Sequence, residues 1–111
     1  MTHFSEIDRF LEAQIHTLEK SLDIADLTIN YGVHFFQYES SSFVPELFEE
    51  LNLHDANKIF YDLGSGYGKV ILYGAYHYPK AMFKGIEIIE ERNDICTTLI
   101  EKLQLKNITT H

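Results

Sequence analysis

The sequence predicts an α/β fold in which two parallel strands are joined through a helix. Apolar residues 58–63 indicate a short buried strand, a glycine-rich turn follows at residues 62–68, and residues 81–86 indicate a second strand. The segment between them is typical of a helix from about Lys69 to Tyr78, because Pro79 would stop it there. Strand, helix and strand in this order form a βαβ unit, which closes right-handed with its strands parallel.

Further helices are predicted on both sides of this unit. Apolar residues between Ile7 and Leu22 recur every three or four positions, which indicates an amphipathic helix that begins near residue 6, with Ser5 as its N-cap. Ser42 is a candidate N-cap for a second helix that reaches residue 51. A last helix is predicted from about Glu90 to Leu103.

Composition narrows the classes of function. A chain of 111 residues forms one domain at most, and its net charge of −8, from 9 basic and 17 acidic residues, argues against a nucleic-acid partner for this segment. We expect no membrane association, because no apolar run approaches the ~18 residues of a membrane span and the N-terminus does not resemble a signal peptide. The single cysteine, Cys96, favours a cytoplasmic location, and the six histidines lack metal-type spacing, so no metal is expected.

The glycine-rich turn is the strongest candidate for a binding site. It lies where a strand ends and a helix begins, so its backbone can approach a ligand closely beside the free N–H groups of the helix. Glu87 ends the second strand, and an acid placed about 20 residues after the turn can accept hydrogen bonds from ribose hydroxyls. These features predict a nucleoside-containing ligand.

The spacing of the glycines separates the possible ligands. A phosphate-binding Walker loop would need a glycine where Leu63 stands and Ser or Thr where Val70 stands. A dinucleotide fingerprint would need Gly or Ala in place of Lys69. Asp62 before the turn would repel a pyrophosphate but suits an ammonium group, and S-adenosylmethionine carries an ammonium and a sulfonium and no phosphate. Charge therefore favours S-adenosylmethionine as the cofactor.

Residues 60–69, followed by Gly85-Ile86-Glu87, resemble the first two motifs of class I S-adenosylmethionine-dependent methyltransferases. Within that superfamily they are most similar to the non-SET histone-lysine methyltransferases of the disruptor-of-telomeric-silencing type and to their bacterial relatives. Residues 38–43 resemble the loop that covers the methionine end of the cofactor in that family. The resemblance covers about residues 35–105 and implies an incomplete S-adenosylmethionine-binding domain at residues 35–111, the N-terminal half of a Rossmann-like methyltransferase sheet. Residues 1–34 are expected to form a separate N-terminal helical segment, to which the resemblance assigns no motif.

The resemblance also implies roles for individual residues. Asp62 and the backbone from Gly64 to Gly68 would hold the methionine moiety, Glu87 the ribose, and Ile88 the adenine. The family would place the catalytic residues beyond His111, so none is assigned. The complete set of expected cofactor-binding residues is Tyr38, Ser41, Asp62, Gly64, Ser65, Gly66, Tyr67, Gly68, Lys69, Glu87 and Ile88.

The sequence leaves several alternatives open. The leading interpretation is a methyltransferase whose acceptor is unknown, with a protein side chain preferred by analogy. A non-catalytic nucleotide-binding module and an NAD-dependent oxidoreductase are the alternatives. Only two strands can be counted, so we expect an unpaired sheet edge and association into a homo-oligomer.

Overall fold

The computed structural model describes residues 2–23, 26, 43–54 and 57–111. Four helices and three strands lie in these ranges. In chain order they are α1 (Thr2–Glu19), α2 (Phe43–Leu51), β1 (Ile59–Leu63), α3 (Lys69–His77), β2 (Met82–Ile86), α4 (Glu90–Leu103) and β3 (Ile108–Thr110).

The three strands form one parallel sheet in the order β1-β2-β3. The α/β fold class and the βαβ unit are therefore confirmed. The count of two strands is wrong, because residues 108–110 add a third strand beside β2. That strand has three residues and only Ile108 is buried, so it is too short to show a pattern in the sequence.

Helix α1 packs into the same core as the βαβ unit. Ile7, Leu11 and Ile15 are buried there, as their spacing of four predicts. The predicted start near residue 6 is wrong: the helix begins at Thr2, so the residue proposed as its N-cap lies inside the helix. The apolar stripe marks where packing begins, whereas the helix extends one turn further toward the N-terminus. The proposed domain boundary near residue 34 lies outside the described residues.

An aromatic cluster fills the core beneath α3. The ring of Phe48, which is fully buried on α2, lies 5.1 Å from that of Phe60 and 5.9 Å from that of Phe83, edge-on in both cases. The rings of Tyr73 and Tyr78 lie 5.9 and 5.6 Å from it on the helix side. These contacts fix α2 against the sheet and so fix the direction in which β1 enters the glycine turn.

The two faces of the sheet have different surroundings. Right-handed crossovers through α3 and α4 advance in the same direction, so both helices lie on one face. The side chains that point to the other face are exposed: Ile59 by 51%, Tyr61 by 57%, Leu63 by 76% and Ile86 by 48%. No element within the described residues covers this second face, which is apolar at four positions. Nor does any described helix combine the length and hydropathy that crossing a bilayer requires.

Asn107 joins the C-terminal end of α3 to the start of β2 and β3. Its Nδ2 lies within hydrogen-bond distance of the carbonyl oxygens of Ala75, Tyr78 and Ala81, at 3.2, 3.1 and 2.9 Å. The main-chain carbonyl of Asn107 accepts the N–H of Phe83 at 2.8 Å. One side chain thus satisfies carbonyl groups that a helix end would leave without partners.

We expect Asn107→Ala to lower the free energy of unfolding by about 1–3 kcal/mol, because the carbonyl groups lose their donor. Urea denaturation followed by circular dichroism measures the change. The neighbouring Lys106 is exposed, and Lys106→Ala is the control, with an expected change within about 0.5 kcal/mol. Equal stabilities for the two variants would contradict the role given to Asn107.

Candidate functional site

The glycine turn bends the chain from β1 into α3. Gly64, Gly66 and Gly68 have φ angles of 82°, 60° and 84°, in the left-handed region that side chains disfavour. The predicted strand-to-helix bend is therefore present, and each alternate glycine contributes to it. A Cβ at Gly68 would overlap the Sγ of Cys96, which shows that the turn also packs closely against α4.

Backbone hydrogen bonds fasten the turn to the end of β2. The N–H groups of Gly64 and Ser65 donate to the carbonyl oxygen of Ile86 at 2.7 and 3.0 Å. Gly85 permits this approach, because a Cβ at that position would lie 2.7 Å from Ser65 Oγ and 2.6 Å from Ile71 Cδ1. Glycine at residue 85 is thus a packing requirement of the turn.

Glu87 faces the turn, and its carboxylate is almost fully buried, at 9% exposure. Its Oε1 accepts the N–H of Gly66 at 2.7 Å, and its Oε2 accepts the N–H of Ile89 at 3.1 Å. Asn93 donates to the main-chain carbonyl of Glu87 at 2.8 Å and accepts the Thr110 hydroxyl at 2.6 Å. The position of Glu87 is therefore fixed by direct hydrogen bonds to the turn and to the start of α4, and through Asn93 by β3.

Asp62 provides the second carboxylate of the site. It is half-buried and forms no hydrogen bond or ion pair with the residues that the structure describes. Burial, and after it the nearby Glu87 carboxylate, raise the pKa of Asp62 above its ordinary value. Two adjacent acids favour a positively charged ligand, because such a ligand would relieve their mutual repulsion.

The approach to the turn is open on the side of Gly64. Among the described residues, a Cβ built at Gly64 would meet no atom within 4 Å, so no described element covers this stretch of backbone. Leu63 and Ile88 flank it at the carboxyl edge of the sheet and are 76% and 79% exposed. The structure thus brings a bare backbone, two acids and two apolar side chains to one edge, where open parallel sheets bind their ligands.

The long side chains of Tyr67 and Lys69, at the end of the turn, point toward α1. The hydroxyl of Tyr67 donates to Glu19 Oε2, and Arg92 lies 5.1 Å from the centre of the Tyr67 ring. Lys69 Nζ donates to Glu12 Oε1 at 2.6 Å. Tyr67 and Lys69 were expected among the cofactor-binding residues, and the structure directs both side chains at a helix instead of at the open side of the turn.

Sequence reasoning missed several residues of this site. Glu12, Glu19, Arg92 and Asn93 contact the turn or Glu87, yet no motif includes them. Their spacing on two amphipathic helices is visible in the sequence, but it does not reveal which neighbour each helix faces. Two expected residues of the covering loop, Tyr38 and Ser41, lie outside the described residues.

Cys96 is a packing residue beneath the turn. Burial raises the pKa of its thiol to about 12, so it is protonated at neutral pH. Its closest constraint is Gly68, which leaves no room for a larger side chain at either position. The side chain therefore lacks the thiolate that a nucleophile needs.

Several solved structures that resemble this fold are named as methyltransferases. A methyltransferase from Geobacter sulfurreducens in complex with S-adenosyl-L-homocysteine is 22% identical and has a TM-score of 0.57, covering 81% of this chain and 36% of its own. Coclaurine N-methyltransferase, bound to N-methylheliamine and S-adenosyl-L-homocysteine, is 17% identical and has a TM-score of 0.58. The match covers 97% of this chain and 37% of the other. A putative protein-L-isoaspartate O-methyltransferase from Plasmodium falciparum is 16% identical, with a TM-score of 0.53, and covers 71% and 41%.

These likenesses establish the Rossmann-like methyltransferase fold, and they show that the chain spans less than half the length of each of these structures. None of the curated proteins matches the chain. The family described as histone methylation protein DOT1 matches residues 33–109, which is well over half of the sequence and includes the turn and Glu87. The chain belongs to that family.

Proposed function

We propose that this chain binds S-adenosylmethionine and forms the cofactor-binding part of a methyltransferase. The observation that carries the proposal is the half-buried Asp62, which has no partner among the described residues and lies beside Glu87 at a bare glycine turn. A ligand that meets these features needs a cationic group for the acids and hydroxyls for hydrogen bonding. S-adenosylmethionine has an ammonium, a sulfonium and ribose hydroxyls, and the family and the fold agree with it.

The proposed cofactor-binding residues divide by the chemistry they offer. Asp62 and the backbone of residues 64–68 would attract and orient the amino-acid end. Glu87 uses its oxygens as acceptors for two N–H groups, and each carboxylate oxygen can accept more than one hydrogen bond, so ribose hydroxyls would find acceptors there. The exposed Ile88 offers an apolar surface for adenine, and Tyr38 and Ser41 would belong to a covering loop.

The cofactor, when bound, supplies a methyl group on a sulfonium that leaves as a neutral thioether. Residues of this chain would bind and orient it, and orientation is a large part of catalysis in such a transfer. We assign no catalytic residue within the chain. For the acceptor we propose a protein side chain, because the family is named for histone methylation and one structural neighbour is named as a protein methyltransferase. The net charge of −8 would attract a basic protein.

Location and assembly are also proposals. A single buried cysteine suits a reducing, cytoplasmic compartment. For assembly we propose a homo-oligomer through the edge of β1, which pairs with β2 on one side and with no strand of the described residues on the other. Exposed apolar side chains beside that edge would be buried by a second copy.

Calorimetry with S-adenosylhomocysteine and with NAD tests the proposed cofactor. We expect saturable binding of S-adenosylhomocysteine at a stoichiometry of about one, and no binding of NAD, since Asp62 would repel its pyrophosphate. Binding of NAD alone would support the oxidoreductase alternative. Binding of neither compound would overturn the proposed function.

Asp62→Asn should weaken S-adenosylhomocysteine binding about tenfold to a hundredfold, because a charged hydrogen-bond partner is lost. The same substitution should raise the melting temperature of the ligand-free protein, since Asp62 is a half-buried acid beside Glu87. Asp94→Asn removes a charge from an exposed position and is the matched control for both measurements.

The pH dependence follows from the same carboxyl. Because the folded pKa of Asp62 is raised, its protonation stabilises the ligand-free protein, and this stabilisation is lost as the pH rises through the folded pKa. The affinity for S-adenosylhomocysteine, which offers Asp62 its ammonium group, changes in the opposite direction. It falls as the pH drops through the folded pKa of Asp62. Calorimetry between pH 7 and pH 4 should show this fall in the wild type and a flatter profile in Asp62→Asn. Parallel profiles would contradict a role for the Asp62 charge.

Replacement of Ile59 and Tyr61 by lysine tests the proposed assembly. Lysine on an edge strand discourages pairing with another chain, so we expect the wild type to sediment as a dimer or larger species and the double variant as a monomer. Tyr76→Lys alters an exposed aromatic residue on a helix and is the control. A monomeric wild type in analytical ultracentrifugation would contradict the proposal.

A further inference from the structure

Helix α1 is joined to the glycine turn by charged side chains. Glu12 Oε1 accepts a hydrogen bond from Lys69 Nζ at 2.6 Å, and Asp8 Oδ1 lies 3.6 Å from the same nitrogen. Glu19 accepts the hydroxyl of Tyr67. Three acids of one helix thus contact both of the long side chains that the turn carries.

These acids share one side of α1. Asp8, Glu12 and Glu19 are four and seven positions apart, which places them along the same face of an α-helix. The face lies beside the buried stripe of Ile7, Leu11 and Ile15, which packs in the core. The core therefore fixes the rotation of α1, and with it the direction in which the acids point.

The turn depends on these partners because both of its long side chains are removed from solvent. The Lys69 side chain is 16% exposed, whereas those of Asp8 and Glu12 are 36% and 53% exposed. Tyr67 is 8% exposed, and burial, followed by Glu19, raises the pKa of its hydroxyl. A cation and a hydroxyl at such burial need partners, and α1 supplies them. Arg92 of α4 holds the ring of Tyr67 on another side.

We propose that α1 positions the cofactor loop, with Glu12, Asp8 and Glu19 as positioning residues that act through Lys69 and Tyr67. The two anchored residues alternate with Gly66 and Gly68, so they hold the left-handed backbone that presents the turn to the ligand. The acids act on the turn and not on the ligand. The inference rests on the proposed function, because it assigns α1 a part in binding S-adenosylmethionine.

The first test is substitution of the acids in the full chain. Glu12→Gln and Glu19→Gln should each raise the dissociation constant for S-adenosylhomocysteine about fivefold to tenfold, because Lys69 and the Tyr67 hydroxyl each lose a charged acceptor and the hydrogen bonds weaken. Glu6 is an exposed acid on the same helix that forms no ion pair with the described residues, and Glu6→Gln should leave the constant unchanged. Thermal unfolding without ligand is measured beside each titration.

Charge exchange separates positioning from direct contact with the ligand. In an Asp8→Asn background, which removes the carboxylate that would repel a glutamate at residue 69, Glu12→Lys and Lys69→Glu should each weaken binding. The double variant should recover the dissociation constant of that background to within about twofold, since the exchanged pair can form again. The double variant also keeps the inference testable if a single variant fails to fold. A double variant that folds but binds as weakly as Lys69→Glu would mean that Lys69 contacts the ligand directly, and this would overturn the inference.

The outcomes also distinguish this inference from the proposed function. A wild-type chain that does not bind S-adenosylhomocysteine removes the proposed function. A wild-type chain that binds, with Glu12→Gln and Glu19→Gln variants that bind equally well, removes only the role of α1. Loss of stability without any change in affinity would likewise reduce these contacts to a structural role.

Discussion

The hydrogen bond between the Glu87 carboxylate and the N–H of Gly66 is the constraint on which the rest of the structure depends. It brings the end of β2 against the turn after β1, and that proximity requires a tight left-handed bend and a bare position at Gly85. It also requires the main chain at Glu87 to be fixed, which Asn93 and Thr110 accomplish. Even the short β3 therefore contributes to the geometry of the site.

Charges around the turn are divided between two sides. Lys69, the cation nearest to the turn in sequence, is paired with acids of α1. The carboxyl groups of Asp62 and Glu87 on the open side have no lysine partner among the described residues. If Lys69 turned to Asp62, it would offset one of the two acids before any ligand arrived. Pairing with α1 therefore preserves the feature that favours a cationic ligand.

The sequence predicted the parts of this structure that local patterns determine. Glycine spacing and apolar runs predicted the turn, the two strands beside it and α4. Pro79 predicted where the helix between those strands, α3, ends. The third strand was missed because one buried residue, Ile108, gives no periodicity. The contacts of Glu12 and Glu19 were missed because they join segments about fifty residues apart. Such contacts depend on how helices pack, and no single segment records this.

The exposed face of the sheet is a consequence of topology. Two right-handed crossovers in one direction place α3 and α4 on the same face, so alternate residues of β1 and β2 point away from every described helix. Exposed apolar residues at those positions favour burial by a covering element, and Lys84 shields only the ring of Tyr61. Leu63 belongs to this face and also flanks the open side of the turn. Whatever covers the face therefore reaches the edge where the ligand is proposed to bind, which links assembly of the sheet to completion of the site.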